Sequence, residues 1–295
     1  MGRPDLLVVD LDGTLLGADG RVSAENAAAI DRAKAAGLPC IIATGRTLSE
    51  CRQVLESIDY GDPLIAASGS LLVETSEQRT VDRREIEQSL VSSIVELVAD
   101  ALAVVMLLKD RSRTGVDYVL VGRRELHPVS TWWFKTTGAT FHRVDHIADD
   151  PFPDDTVRIG AVGTPTEFGP MVDRLEAAFG NRILARHWEA VTSSAHAGQC
   201  IHLLEVFHPE ADKWTMLQSL CRTVGLDSNR VAAVGDGLND VLLIQECGLG
   251  VAVKNADARV LAVADAVTDA HHQHGVAMLI DDLLEGRLRL GGTRT

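Results

Sequence analysis

The stretch Leu6-Leu7-Val8-Val9-Asp10-Leu11-Asp12-Gly13-Thr14 decides how the chain is read. A continuous apolar run is a strand buried on both faces, and this one stops at two carboxylates and a glycine turn. The pattern recurs along the chain. Pro39-Cys40-Ile41-Ile42-Ala43 leads into Thr44-Gly45-Arg46, and Val231-Ala232-Ala233-Val234 leads into Gly235-Asp236-Gly237-Leu238-Asn239-Asp240. Leu64 to Ala67 is followed by Ser68-Gly69 and a second short strand, Leu71-Leu72-Val73. Between them, Ser23 caps an Ala-rich helix that stops at Gly37, and Asn239 to Cys247 forms a helix stopped by Gly248, before the strand Val251-Ala252-Val253. Apolar strands alternating with helices predict an α/β class: a Rossmann-like, doubly wound parallel sheet with helices on both faces.

The middle of the chain follows a different pattern. Ile86, Leu90, Ile94 and Val98 recur at helical spacing, and strands are predicted at Val104 to Leu108 and Tyr118 to Val121. A strand from Val157 to Val162, a helix from Thr166 to Phe179 ended by Gly180, and strands near Ile183 to Ala185 and Ile201 to Val206 complete it. A helix followed by paired strands, twice, predicts an open α+β sheet with helices on one face. The acidic, proline-containing stretch Asp145 to Asp155 reads as a loop. The expected organisation is an α/β core made of residues 1–81 and 208–295, with residues 82–207 inserted as an α+β cap domain.

The 295 residues suit two domains, and a net charge of −14 argues against a protein that grips nucleic-acid phosphates. Five dispersed cysteines without a Cys-x-x-Cys pair imply free thiols in a reducing compartment. The longest apolar span, Ala101 to Leu108, is far shorter than the ~20 residues of a membrane helix, so a cytoplasmic protein is expected.

The chemistry gathers where the apolar strands end. Asp10 and Asp12 lie two apart on a strand terminus, and two carboxylates in different surroundings can divide the roles of nucleophile and acid. Asp236 and Asp240 add hard oxygen donors that, with Asp10, suit Mg²⁺. Thr44, Gly45 and Arg46 bring a hydroxyl, a bare backbone N–H and a cation to the same sheet edge, where ligands bind in open parallel sheets.

The four segments Asp10-Leu-Asp-Gly-Thr14, Ala43-Thr-Gly-Arg46, Lys213 and Gly235-Asp-Gly-Leu-Asn-Asp240 resemble the four motifs of the haloacid dehalogenase superfamily. The inserted α-β-β pattern, with Gly250-Val-Ala-Val-Lys-Asn-Ala256 and Gly275-Val-Ala277, resembles the Cof-type subgroup with a type IIB cap. The resemblance implies a Mg²⁺-dependent phosphatase of small phosphorylated metabolites, sugar phosphates foremost, acting through an aspartyl phosphate. Asp10 then matches the nucleophile and a metal ligand. Asp12 matches the general acid and base, with its backbone carbonyl on the metal. Asp236 matches the second carboxylate ligand, with Asp240 as a further ligand or outer-shell partner. Thr44, Gly45, Lys213 and Asn239 match the phosphoryl-binding groups, and Arg46 is either a substrate contact or a salt-bridged turn residue. A sugar phosphomutase of the same fold, or a phosphometabolite-binding regulator, is the alternative.

Some positions depart from the usual pattern. Trp214 follows Lys213 where Gly is common, and it is expected to crowd the helix start. Ser68-Gly69 stands in place of Asn-Gly, Val253 in place of Met, and His271-His272-Gln273-His274 in place of an acidic loop. The histidines read as a solvated or substrate-edge loop in preference to a transition-metal site. In the inserted domain, Trp132-Trp133-Phe134 reads as core packing or an apolar wall for the leaving group, and Arg111, Arg113, Arg123 and Arg124 as solvated charges. The partner is a small phosphorylated metabolite; the oligomeric state is open.

Overall fold

The computed structural model describes residues 2–99, 101–102, 104–190 and 200–291; Ala103, within the apolar span Ala101 to Leu108, lies outside the described residues. The chain forms two units, Met1–Asp82 with Asp212–Thr295, and Arg83–Ala211.

In the first unit, with elements numbered in chain order, the strands are β1 (Leu6–Val9), β2 (Cys40–Ala43), β3 (Leu64–Ala66), β4 (Leu71–Glu74), β5 (Arg79–Arg83), β12 (Val231–Gly235), β13 (Leu249–Val253) and β14 (Ala266–Thr268). They form one sheet in the order β14-β13-β12-β1-β2-β3-β4-β5. Every pairing from β14 to β3 is parallel, and β4 turns back antiparallel to β3. β1 lies at the centre, with β12 and β2 on either side, and every residue of these three strands is buried. Burying each Val, Leu or Ile contributes roughly 1.5–3 kcal/mol, and these runs have no polar alternation because both faces are covered. The helices are α1 (Ala24–Ala35), α2 (Leu48–Ser57), α7 (Lys213–Val224), α8 (Val241–Glu246), α9 (Ala258–Val263) and α10 (Gly275–Leu284). Ser23 caps α1 through the Asn26 amide, and a Thr47–Glu50 capping box starts α2. Asn26 is buried within α1: its Nδ2 donates to Leu15 O at 3.1 Å and its Oδ1 accepts the Ala277 N–H at 3.0 Å, which ties α1 to the β1 loop and α10.

The second unit holds β6 (Val105–Lys109), β7 (Tyr118–Val121), β8 (Phe141–Val144), β9 (Thr156–Gly163), β10 (Leu184–Glu189) and β11 (His202–Phe207), in the order β10-β11-β9-β6-β7-β8. Its helices are α3 (Gln88–Val98), α4 (Arg111–Thr114), α5 (Pro128–Thr137) and α6 (Pro165–Phe179). Ile94 of α3 and Phe168 and Leu175 of α6 pack with Leu107, Val119, Ile159 and Leu204 into one apolar core. By strand alternation Tyr118 faces away from that core, and Phe134 of α5 meets its ring edge-on at 5.1 Å. Of the Trp132-Trp133-Phe134 cluster only Phe134 is fully buried. The 145–155 segment is irregular with two short helical turns, and buried Lys109 holds it. Lys109 Nζ donates to Asp150 Oδ2 at 2.6 Å, Phe152 O at 2.9 Å and Thr156 Oγ1 at 2.7 Å. A register shift after Leu108 breaks the strand alternation just where Lys109 joins this set. Arg111 and Arg113 are paired rather than free, with Asp117 at 2.7 Å and Asp155 at 2.6 Å, and exposed Arg123 pairs with Asp145 at 2.9 Å.

Among the described residues no helix is long and apolar enough to cross a membrane.

Gly69 links the sheet to α7. Its φ is +95°, and a Cβ there would run into the Asp212 carbonyl immediately before Lys213. Gly69→Ala is expected to destabilise the first unit by about 2 kcal/mol or more, through left-handed strain and overpacking together, as read from denaturant unfolding.

Candidate active site

The three central strands deliver their last residues to one place. Asp10 follows β1 directly, and its amide still pairs with Val234 O of β12 at 3.0 Å, so the carboxylate leaves a backbone fixed by the sheet. The side chain is almost fully buried. Beneath it Lys213, the first residue of α7, is fully buried, and its Nζ donates to Asp10 Oδ1 and Asp240 Oδ1, each at 2.6 Å. Asp212 caps α7 by accepting the Thr215 N–H at 2.8 Å, so Trp214 does not disturb the helix start. Asp240 is also fully buried, and its Oδ2 accepts the amides of Asp236 at 3.2 Å and Gly237 at 3.0 Å. That carboxylate therefore shapes the β12 turn as well as balancing Lys213.

Asp236 completes the acidic group. Thr14 Oγ1 donates to its Oδ1 at 2.9 Å. Gly13, at φ +76°, lies so close that a Cβ would enter the Asp236 carboxylate; only glycine fits both the turn and the contact. Asp10, Asp236 and Asp240 each present an oxygen within 4.8 Å of the others. Three carboxylates and one ammonium in a water-poor space leave an excess of negative charge. Burial, and then the neighbouring carboxylates Asp240 and Asp236, push the Asp10 carboxyl well above its usual range against the pull of Lys213. Burial and Asp240 push Asp236 up to about 6. A divalent cation among these oxygens would oppose both shifts, and a set made of hard carboxylate oxygens fits Mg²⁺.

The end of β2 forms the facing wall. Thr44 is buried, with its amide on Ile65 O at 2.8 Å, and its Oγ1 accepts the Arg46 amide at 3.1 Å. The Cβ that Gly45 lacks would stand 3.4 Å from Ser68 Oγ and 3.7 Å from Asn239 Nδ2, so the missing side chain leaves a small space edged by polar groups. Arg46 grips Asp12 with both arms of its guanidinium: Nε donates to Oδ2 at 2.8 Å and Nη2 to Oδ1. Arg46 is thus salt-bridged to Asp12 in this state. The sites proposed at Asp10, Asp236, Asp240 and Lys213 meet directly, Asn239 faces Gly45, and Asp12 and Arg46 form a separate pair at a more exposed edge.

Three residues here carried no assignment from sequence: Thr14, Ser68 and Asn255. Asn255, in the turn after β13, donates from Nδ2 to Gly13 O at 2.8 Å and accepts the His271 amide at 2.9 Å. Its place after β13, the fifth parallel strand in chain order, was the available signal. The histidine loop is bound to the core: His271 Nδ1 pairs with Leu16 O and His274 Nδ1 with Ser23 Oγ, both at 2.9 Å.

A family model described as haloacid dehalogenase-like hydrolase matches residues 7–280. The chain is similar to the 5-amino-6-(5-phospho-D-ribitylamino)uracil phosphatase YcsE of Bacillus subtilis, with 28% identity, covering 93% of this chain and 94% of the relative. It is similar to a phosphoglycolate phosphatase of Methanopyrus kandleri, with 27% identity, covering 95% of this chain and 97% of the relative. Its fold matches the solved structure of a haloacid dehalogenase subclass IIB sugar phosphatase, with a TM-score of 0.75 at 18% identity, covering 94% of this chain and 98% of that one. The protein belongs to the haloacid dehalogenase-like hydrolases.

The buried charges set a test of stability. Asp236 binds a proton more tightly folded than unfolded, so its contribution is present below its unfolded value of about 4 and is lost as pH rises through about 6. Metal-free protein is expected to weaken across that window in thermal melts, and an added divalent cation to restore it at neutral pH. Lys213→Met, which leaves Asp10 and Asp240 buried without their cation, is expected to cost about 3–5 kcal/mol in denaturant unfolding at pH 7, and much less near pH 4.

Proposed function

We propose that this hydrolase is a Mg²⁺-dependent phosphatase that cleaves phosphate monoesters of small metabolites, sugar phosphates foremost, through an aspartyl phosphate on Asp10. The observation that carries the reading is the convergence of Asp10, Asp236, Asp240 and Lys213 at the end of the central strand, beside the pair Asp12–Arg46. Phosphatases among the relatives support it. The names of the two cited relatives put the phosphate on a ribityl chain or a small acid, so the leaving group is a small polar metabolite. The five cysteines are free, in keeping with a cytoplasmic setting.

Asp10 and Asp236 would hold the ion together with the Asp12 backbone carbonyl, and Asp240 completes the negative set while keeping Lys213 in place. When bound, Mg²⁺ offsets the carboxylates and the phosphoryl charge. Asp10, fixed through Oδ1 by Lys213, attacks phosphorus with its other oxygen, and the P–O bond to the leaving group breaks. Thr44, the Gly45 N–H, Lys213 and Asn239 hold the phosphoryl oxygens. Arg46 keeps Asp12 until an incoming phosphoryl group competes for the guanidinium; the released Asp12 takes up a proton from solvent and gives it to the departing oxygen. In the second half Asp12 takes a proton from water, which attacks phosphorus, breaks the bond to Asp10 and releases inorganic phosphate. We assign residues 82–207 as the cap domain, which selects the leaving group.

A screen of phosphate esters with and without Mg²⁺ tests the reading. Asp10→Asn is expected to lose turnover while keeping its fold by circular dichroism; wild-type rates in pure Asp10→Asn would reject the mechanism. Asp12→Asn is expected to bind Mg²⁺ nearly as well as wild type and to turn over ~10²-fold or more slowly. Weak Mg²⁺ binding with a normal saturating rate would reverse the two roles.

A further inference from the structure

One buried polar group beside the site takes no part in the mechanism above. Ser68 has no solvent exposure, and its Oγ has no hydrogen-bond partner. An orphaned buried hydroxyl forfeits its hydration with nothing in return, so it calls for an explanation. The backbone that carries it is also unusual. Ala67, Ser68 and Gly69 have φ of 50°, 57° and 95°, three successive left-handed residues of which two are not glycine. Such conformations persist only where the surroundings impose them. Here the Ala67 amide donates to Arg46 O at 2.8 Å, the Ser68 amide donates to Thr44 O at 2.9 Å, and Gly69 abuts the Asp212 carbonyl. The strained turn is therefore fastened to the residues on both sides of Gly45 and to the residue that precedes Lys213.

The result is to place a hydroxyl donor at the space that Gly45 leaves open. Ser68 Oγ is 3.4 Å and Asn239 Nδ2 3.7 Å from the position of the absent Cβ. A hydroxyl and an amide N–H₂ on the walls of one small space recognise an acceptor-rich group such as an oxyanion. We propose that Ser68 is a further substrate-binding residue, whose hydroxyl donates to a non-bridging phosphoryl oxygen seated beside Gly45. This rests on the phosphatase reading and adds to it a donor from β3's loop.

The test compares wild type with Ser68→Ala, Ser68→Gly and Ser70→Ala in the full chain. Ser70 Oγ is buried and unpartnered as well, which makes it the control for loss of an orphan hydroxyl in the same loop. Thermal melts are recorded without ligand and against inorganic phosphate in the presence of Mg²⁺, with steady-state kinetics on a phosphate ester. Ser68→Ala and Ser68→Gly are expected to melt no lower than wild type without ligand, because they remove an unpaired polar group. Their Kd for phosphate and their KM are expected to rise about tenfold, the loss of one hydrogen bond to a charged group, with kcat changed less. Ser70→Ala is expected to bind phosphate as wild type does. Wild-type phosphate affinity in both Ser68 variants, or equal weakening in Ser70→Ala, overturns the assignment while the phosphatase reading stands. A wild-type protein that neither binds phosphate nor cleaves any ester removes both.

Discussion

A lysine with no access to water lies between two buried carboxylates, and the core is arranged to make that tolerable. Lys213 can remain charged because Asp10 and Asp240 each accept from its Nζ at 2.6 Å. Those acids in turn tolerate burial because the ammonium is there. The cost of desolvating such a group is several kcal/mol, so the geometry has to be maintained by the backbone rather than by flexible side chains. Each member is accordingly set at the end of a regular element: Asp10 on β1, Lys213 on the first turn of α7, and Asp240 in the turn that leaves β12. The parallel pairing of β1 with β12 brings the first and the third together.

Close backbone contacts hold the surrounding loops to this group. Gly13 lets the β1 turn touch the Asp236 carboxylate, and Gly69 lets the β3 turn touch the start of α7. Asn255 closes the other side by joining Gly13 to the His271 loop. The loops that carry the candidate chemistry are thus braced to one another, which favours a site pre-organised for charge over one assembled by the ligand.

The second unit uses buried charge as well, for a different end. Arg158 donates to Glu205 Oε1 at 2.6 Å and to the Tyr118 hydroxyl at 2.9 Å, and Lys109 gathers Asp150, Phe152 and Thr156. These pairs join neighbouring strands and the 145–155 segment. Their partners are protein groups throughout, in contrast to the Asp10 cluster, where carboxylates outnumber cations.

How much of this can be read along the chain follows from the range of each interaction. The runs Leu6–Val9, Cys40–Ala43 and Val231–Gly235 announce buried parallel strands, because covering both faces of a sheet removes polar alternation within a few residues. Phe141–Val144 is exposed up to Val144 and no residue of Arg79–Arg83 is buried, so neither strand shows the continuous apolar run that marks the central ones. The acids at the strand ends, Asp10, Asp12, Asp236 and Asp240, were legible for the same local reason: they interrupt apolar runs. Which partner each side chain takes was not. Arg46 chooses Asp12 from 34 residues away, Lys213 reaches Asp10 across 203, and Ser68 is left with none. By itself, then, the sequence determined the buried central strands, their order along the chain and the residues available at their ends. The tertiary structure alone decided which charges meet, because hydrogen bonds act over about 3 Å and only the folded sheet sets those distances.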